Sequence, residues 1–157
     1  MIEIEHKFLL KNDDWMATAS DGVRYRQGYI TTMNGTTVRI RIAGEKSYIT
    51  LKGAPVGDAG IMCSEFEYQI PLVEAESMIE ELVDTPIIDK LRYLVVHRGK
   101  TWEIDVFSGR NEGLAVAEIE LSSEDEKFEL PDWVGVCVSG EFRYTNLSLA
   151  KLPFSDW

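Results

Sequence analysis

The stretch from Ile2 to Phe8, IEIEHKF, alternates between apolar-side and charged residues without a break. Side chains two apart on a strand point the same way, so Ile2, Ile4, His6 and Phe8 share one face and Glu3, Glu5 and Lys7 the other. A half-buried strand with one wet side would read the same. Whether this is a surface or a site depends on how often the rest of the chain repeats the pattern.

Turn-forming stretches at 33–36 (MNGT), 43–47 (AGEKS), 97–101 (HRGKT) and 108–113 (SGRNEG) divide the sequence, and Asn-Gly is a strong hairpin signal. The runs between them predict eight strands, over 2–9, 23–32, 36–43, 47–52, 62–70, 88–97, 101–107 and 114–121. Same-side charges recur in nearly all of them: Arg39 with Arg41, Lys52 alone, Glu65 with Glu67, Lys90 with Arg92, Glu103 with Asp105, and Glu118 with Glu120. The interleaved positions, among them Val38, Ile40, Ile42, Phe66, Leu91, Trp102, Ile104 and Ile119, are apolar. Like charges doubled on one strand repel unless an opposite charge, a metal or a polyanion lies between them. Two arrangements satisfy this pattern. One is a sheet whose ionic face meets water or a partner protein; the other is a closed barrel with the ionic face inside and the apolar face outside, beneath helices.

Helix signals are few. Ala75, Met78, Ile79, Leu82 and Val83 form one stripe within 73–83, stopped by Pro86. A short helix is predicted over 12–20, capped by Asn12 or Asp13, and another over 123–129. The stretch GAPVGDAG at 53–60 reads as a loop over an opening. Trp15, Trp133 and Trp157 read as packing residues, as does His6 by its parity.

The 157 residues, 45% hydrophobic and 27% charged, suit one domain over 1–157. No apolar run reaches a membrane span and the first residues alternate with charge, which predicts a cytoplasmic protein. Cys63 and Cys137 are far apart and outside any ligand cluster, which argues against structural zinc and against a disulfide framework. A net charge of −11 disfavours nucleic acid and anionic membranes, although an interior can carry the opposite sign locally.

EIEHK at 3–7 resembles the ExExK signature of the CYTH superfamily, also called triphosphate tunnel metalloenzymes. RQGYI (26–30), VRIRI (38–42), TLKG (50–53), EFEYQIP (65–71), KLRYLV (90–95), WEIDVFSG (102–109), AEIEL (117–121) and FRYTNLSLA (142–150) are similar to the family's later blocks, in the family's order. The nearest likeness is to the bacterial inorganic tripolyphosphatase-like members. That resemblance implies an α+β fold, an eight-stranded antiparallel β-barrel with a few flanking helices, forming an open-ended charged tunnel. It implies that Glu3, Glu5 and a carboxylate from the pair Glu118 and Glu120 hold Mg²⁺ or Mn²⁺. Lys7, Arg39, Arg41, Lys52, Lys90, Arg92 and Arg143 would contact phosphate, and Glu65, Glu67, Glu103 and Asp105 would supply counter-charges or a second metal position. Lys52 and Tyr29 stand where relatives position or activate water, and crowding by Arg39 and Arg41 predicts a lowered pKa for Lys52. Cys63 stands where several relatives carry arginine, which removes one phosphate contact.

The implied function is metal-dependent hydrolysis of inorganic tripolyphosphate, since the compact chain offers no added domain or aromatic loop to hold a base. The alternatives are a nucleoside or thiamine triphosphatase, a class IV adenylate cyclase, and a noncatalytic polyphosphate-binding module. The expected partner is a small anionic substrate, with neither nucleic acid nor membrane; a homodimer stays open.

Overall fold

The computed structural model describes residues 2–32, 36–54 and 62–157. Its strands are β1 (Ile2–Leu10), β2 (Val23–Ile30), β3 (Thr37–Ala43), β4 (Lys46–Lys52), β5 (Met62–Ile70), β6 (Ile88–His97), β7 (Lys100–Phe107), β8 (Ala115–Glu120) and β9 (Val134–Cys137). Two α-helices accompany them, α1 (Leu72–Glu81) and α2 (Asn146–Lys151). Neighbours pair in the order β5-β4-β3-β2-β6-β7-β8-β1, and β1 pairs back onto β5, so eight antiparallel strands close into a barrel. Of the predicted reversals, the Asn-Gly pair lies outside the described residues, as does most of GAPVGDAG; Ile30 and Val38 nonetheless sit opposite each other across β2 and β3.

The closing strand β1 divides one edge between two partners. Residues Ile2 to Ile4 pair with β5, whereas Phe8 and Leu10 pair with β9, and the other edge pairs residues 5–9 with β8. The sequence reading had no β9. Four residues with a glycine among them carry too little periodicity to be seen.

Alternation places the ionic face inside. Register then decides which charges meet: Arg39 lies opposite Thr50, Thr50 opposite Glu67, Lys52 opposite Glu65, Arg92 opposite Asp105, and Lys7 opposite Glu118. On the outside, α1 lays Ala75, Met78, Ile79 and the following Val83 over Ile40, Ile42 and Ile49. Gly28 permits that cover, because a Cβ there would stand 2.4 Å from Val83 Cγ1. A second outer core gathers Phe8, Trp15, Trp102, Ile104, Ile119 and Trp133, with Phe128 against it. Trp102 packs edge-on to Trp133 at 5.6 Å, and each such indole contributes about 4–6 kcal/mol of gross transfer free energy.

Two helix expectations change. Over 12–20 there is one 3₁₀ turn, Asp14–Thr18, and it is Asn12 whose Oδ1 accepts the Asp14 N–H at 3.0 Å. Residues 123–129 form no helix: Glu126 N–H closes a turn on Ser123 O, the carboxylate of Glu126 pairs with Lys100, and Phe128 is drawn into the aromatic cluster. The predicted stripe over 73–83 is α1, ending at Glu81 before Pro86.

Helix α2, capped by Thr145 Oγ1 on the Ser148 N–H, was not anticipated. Leu149 and Ala150 pack with Val138 and Tyr144 against Tyr29, Ile88, Phe107 and Val116. The last four are inner-face residues one alternation beyond Gln27, Lys90, Asp105 and Glu118. Apolar side chains therefore gather at this end of the barrel interior. Among the described residues, no helix is long and apolar enough to cross a membrane.

Candidate active site

The barrel encloses a cavity of about 560 Å³, lined by Glu3, Glu5 and Lys7 of β1, Tyr25 and Tyr29 of β2, Arg39 and Arg41 of β3, Lys52 of β4, and Cys63, Glu65 and Glu67 of β5. Arg92, Glu103, Glu118 and Glu120 complete its wall, and residues 138–142 and 145–148 close one side.

Three carboxylates form its acidic part. Oxygens of Glu3, Glu5 and Glu120 lie within 4.8 Å of one another, with Glu5 directly opposite Glu120 across β1 and β8. Partial burial and the nearby charges of Glu103, Glu3, Glu5 and Glu65 raise the Glu120 pKa to about 7. Glu3 is also raised, by burial first and then by Glu5 and Glu65, against the pull of Lys52. Such mutual repulsion is what a hard divalent cation would relieve, and three carboxylate oxygens are the donor type that Mg²⁺ and Mn²⁺ favour. The residues fit a metal of that kind. Of the implied pair, Glu120 joins this group and Glu118 does not.

Glu118 belongs to a network of matched charges. It accepts from Lys7 at 2.7 Å and from Arg92 at 2.8 Å, which together hold its pKa well below the carboxylate range despite burial. Arg92 also forms a two-pronged pair with Asp105, at 2.7 and 2.6 Å, and reaches Glu103. Lys90 is completely buried behind the cavity wall, bonded to Asp105 and 3.5 Å from Asn146 Oδ1. Burial lowers its pKa, opposed by Asp105. Across the barrel Arg39 bonds Thr50 Oγ1 at 3.0 Å and Glu67 at 3.1 Å. Glu65, Glu67, Glu103 and Asp105 thus all serve as counter-charges, and no second group of three acidic ligands occurs among the described residues.

Arg41 differs from the other cations described in the cavity wall. Its Nε donates to Gln27 Oε1 at 3.1 Å, and its nearest carboxylate, Glu67, stands 3.9 Å away. Burial, Arg39 and Arg92 lower its pKa. Here a guanidinium faces the cavity without a bonded anion, which is the complement of the acidic triad.

Lys52 corrects an expectation. Its ammonium binds Glu3 and lies 2.7 Å from Glu65 Oε2, and although burial and Arg39 favour the neutral amine, Glu3, Glu5 and Glu65 outweigh them, so its pKa is raised, not lowered. Register explains this: β3 sets Thr37 opposite Lys52, whereas β5 sets Glu65 there. The Tyr29 hydroxyl accepts from Gln27 Nε2 at 2.7 Å, and burial keeps it a neutral phenol. Cys63 faces the cavity and donates Sγ–H to Glu3 Oε2 at 3.3 Å; burial pushes its pKa to about 11, so it is an unreactive thiol. Arg143 is not in the cavity: its side chain is 59% exposed and stacks on Tyr144 and Trp157. His6 packs on Phe8 and Phe128 outside the barrel, as its parity predicts.

The sequence reading passed over Tyr25, Gln27, Tyr48 and Thr50. All share the inner parity of β2 or β4 with the charged positions of neighbouring strands, a signal that a search confined to charged pairs does not see.

A closed antiparallel barrel that turns its charges inward, with a carboxylate triad and a loosely paired arginine on one cavity, is able to hold a cation and a polyanion together. The chain belongs to the CYTH domain family, whose profile matches residues 1–149. It is 45% identical over 155 residues to an inorganic triphosphatase of Acetivibrio thermocellus, covering 99% of this chain and 97% of that protein. An inorganic triphosphatase of Nitrosomonas europaea is 35% identical over 158 residues, covering 96% and 97%. The crystal structure of the inorganic triphosphatase NE1496 matches with a TM-score of 0.66 at 33% identity, over 94% of this chain and 93% of that one. The PH1012 protein of Pyrococcus horikoshii OT3, at 18% identity and a TM-score of 0.62 over 78% of this chain and 80% of that one, shares the fold.

Proposed function

We propose that this protein hydrolyses inorganic tripolyphosphate in a reaction that requires Mg²⁺ or Mn²⁺. The observation that carries the reading is the pairing, in one cavity, of a repelling carboxylate triad with a guanidinium that has no bonded counter-ion. Two relatives with the activity in their names, alike over almost the whole chain, support it.

Glu3, Glu5 and Glu120 would hold the cation, which when bound supplies charge neutralisation at phosphate oxygens. Arg41 and Arg39 offer forked donors that fix two oxygens at a time, while Lys52 and Lys7 supply charge on flexible stems. Arg92 stands already braced by Asp105, Glu118 and Glu103, so the one N–H they leave on Nη1 is fixed in direction before substrate arrives. The neutral Tyr29 phenol can donate to a phosphate oxygen or a water beside it. Lys52, held as ammonium by Glu3 and Glu65, enters as a donor.

The test is phosphate release from tripolyphosphate, pyrophosphate, ATP and thiamine triphosphate, each with Mg²⁺, Mn²⁺ or chelator. Release from tripolyphosphate that is fastest among the four and stops on chelation is the expected outcome; faster release from ATP or thiamine triphosphate reassigns the substrate, and release from none rejects hydrolysis.

A further inference from the structure

Strand β2 is flanked by β3 on one side and β6 on the other. Tyr25 sits opposite Ala43 on the first and Lys90 on the second, so its diagonal neighbours on the inner face are Arg41 and Arg92. Both guanidiniums use its ring. The Arg41 carbon lies 5.3 Å from the ring centroid and that of Arg92 5.1 Å, with the Lys90 ammonium at 5.9 Å. The ring lines the cavity.

We infer that Tyr25 is a positioning residue, whose aromatic ring holds Arg41 in register with Arg92 and so preforms a two-arginine grip on polyphosphate. The two arginines differ in what else fixes them. Arg92 is bound by Asp105, Glu118 and Glu103, whereas Arg41 has one hydrogen bond, to the neutral Gln27, and only a loose ion pair with Glu67 at 3.9 Å. A carboxylate in that place would hold Arg41 more firmly but would compete with the incoming phosphate. An aromatic ring attracts the cation through its quadrupole and leaves the charge unspent, and this attraction strengthens away from water. Tyr25 therefore does for Arg41 what Asp105 does for Arg92, without neutralising it. Gripping groups held in place before binding spare the entropy of ordering them.

This inference rests on the proposed binding of tripolyphosphate, and the experiment separates the two. Tripolyphosphate affinity is measured by calorimetry in chelator, where turnover is absent, for wild type, Tyr25→Phe, Tyr25→Leu and Tyr25→Met, each also in an Arg41→Ala background. The expected result is affinity within about twofold of wild type for the phenylalanine variant and roughly tenfold weaker binding for leucine and methionine, which fill space without a π-face. With Arg41 already removed, the leucine and methionine changes should cost little more, because the two side chains act through one contact. A merely structural tyrosine would give equal losses in both backgrounds. Binding undiminished in the leucine and methionine variants, or a phenylalanine variant as weak as they are, overturns the inference. Wild type that does not bind tripolyphosphate in chelator overturns the inference, since the preformed grip needs no metal; the functional reading fails only if phosphate release with metal is absent as well.

Discussion

The interior of this barrel holds two kinds of charge. Around Arg92 the charges are matched: Asp105, Glu118, Lys7 and Lys90 interlock, all nearly inaccessible. Toward the acidic triad and Arg41 they are not, since Glu3 and Glu120 are raised by burial and then by neighbouring carboxylates, and Arg41 is lowered by burial and by its own kind. The strands and the alternation are the same in both regions. What differs is register: Arg92 meets Asp105, while Glu5 meets Glu120. Buried charge that is satisfied by the fold contributes to rigidity, and buried charge that is left over marks the place of something not yet bound.

The largest effect should come from the unmatched carboxylates. Chelation, or Glu5→Gln, should reduce tripolyphosphate turnover about a hundredfold or more, and the Glu5→Gln variant should retain or gain thermal stability because a repelling charge has gone. Steady-state rates beside melting curves check this. Unchanged turnover in excess chelator would show that the triad's strain has no catalytic meaning.

Arginine substitutions sharpen the contrast. Arg41→Ala should weaken tripolyphosphate binding by about 1.5–3 kcal/mol and cost folding only about 1 kcal/mol, because the fold gives it one hydrogen bond to a neutral amide and a carboxylate no nearer than 3.9 Å. Arg92→Ala should instead lower folding stability, by about 3–5 kcal/mol, since it takes from each of the buried anions Asp105 and Glu118 one of its two bonded cations, leaving only Lys90 and Lys7. Calorimetric affinities and denaturant midpoints separate the two; equal folding costs would erase the distinction between the regions.

A smaller effect concerns pH. Glu120 keeps its proton up to about pH 7, and a cation must displace that proton. Mg²⁺ affinity should accordingly rise as pH increases toward 7 and flatten above it, with proton release visible as a buffer-dependent heat. The sign for the metal-free protein is opposite: between the ordinary glutamate pKa and 7 the unfolded chain has lost a proton that the folded chain retains, so this group's contribution makes stability fall as pH rises through that window. A pH-independent metal affinity would remove Glu120 from the site. The smallest effect is at Arg143, outside the cavity, where replacement by alanine should change tripolyphosphate affinity less than about twofold.

The sequence carried the inside and outside of the barrel because strand parity is local: Glu3, Glu5 and Lys7 need only their own spacing to share a face. It could not say that Glu118 goes to Lys7 and Arg92 while Glu120 goes to Glu3 and Glu5, because that depends on how far β8 is shifted along β1. The Lys52 expectation failed for the same reason, its immediate partner being Glu65 on one neighbouring strand and its other carboxylate, Glu3, arriving only when the barrel closes. Strand β9 is hidden by its length and by Gly135, where a Cβ would stand 3.0 Å from the Leu9 carbonyl oxygen. Helix α2 was hidden because its apolar residues, Leu149 and Ala150, find their partners only inside the assembled barrel.

One measurement tests the pairing of the two unmatched regions most directly: phosphate release from tripolyphosphate by wild type, Glu120→Gln and Arg41→Ala, with metal and substrate varied independently. Two complementary vacancies in charge predict that raising Mg²⁺ restores Glu120→Gln but not Arg41→Ala, and that raising tripolyphosphate at fixed free Mg²⁺ restores Arg41→Ala but not Glu120→Gln. Rescue of each variant by the other's ligand, or release by wild type that persists in excess chelator, would contradict the account.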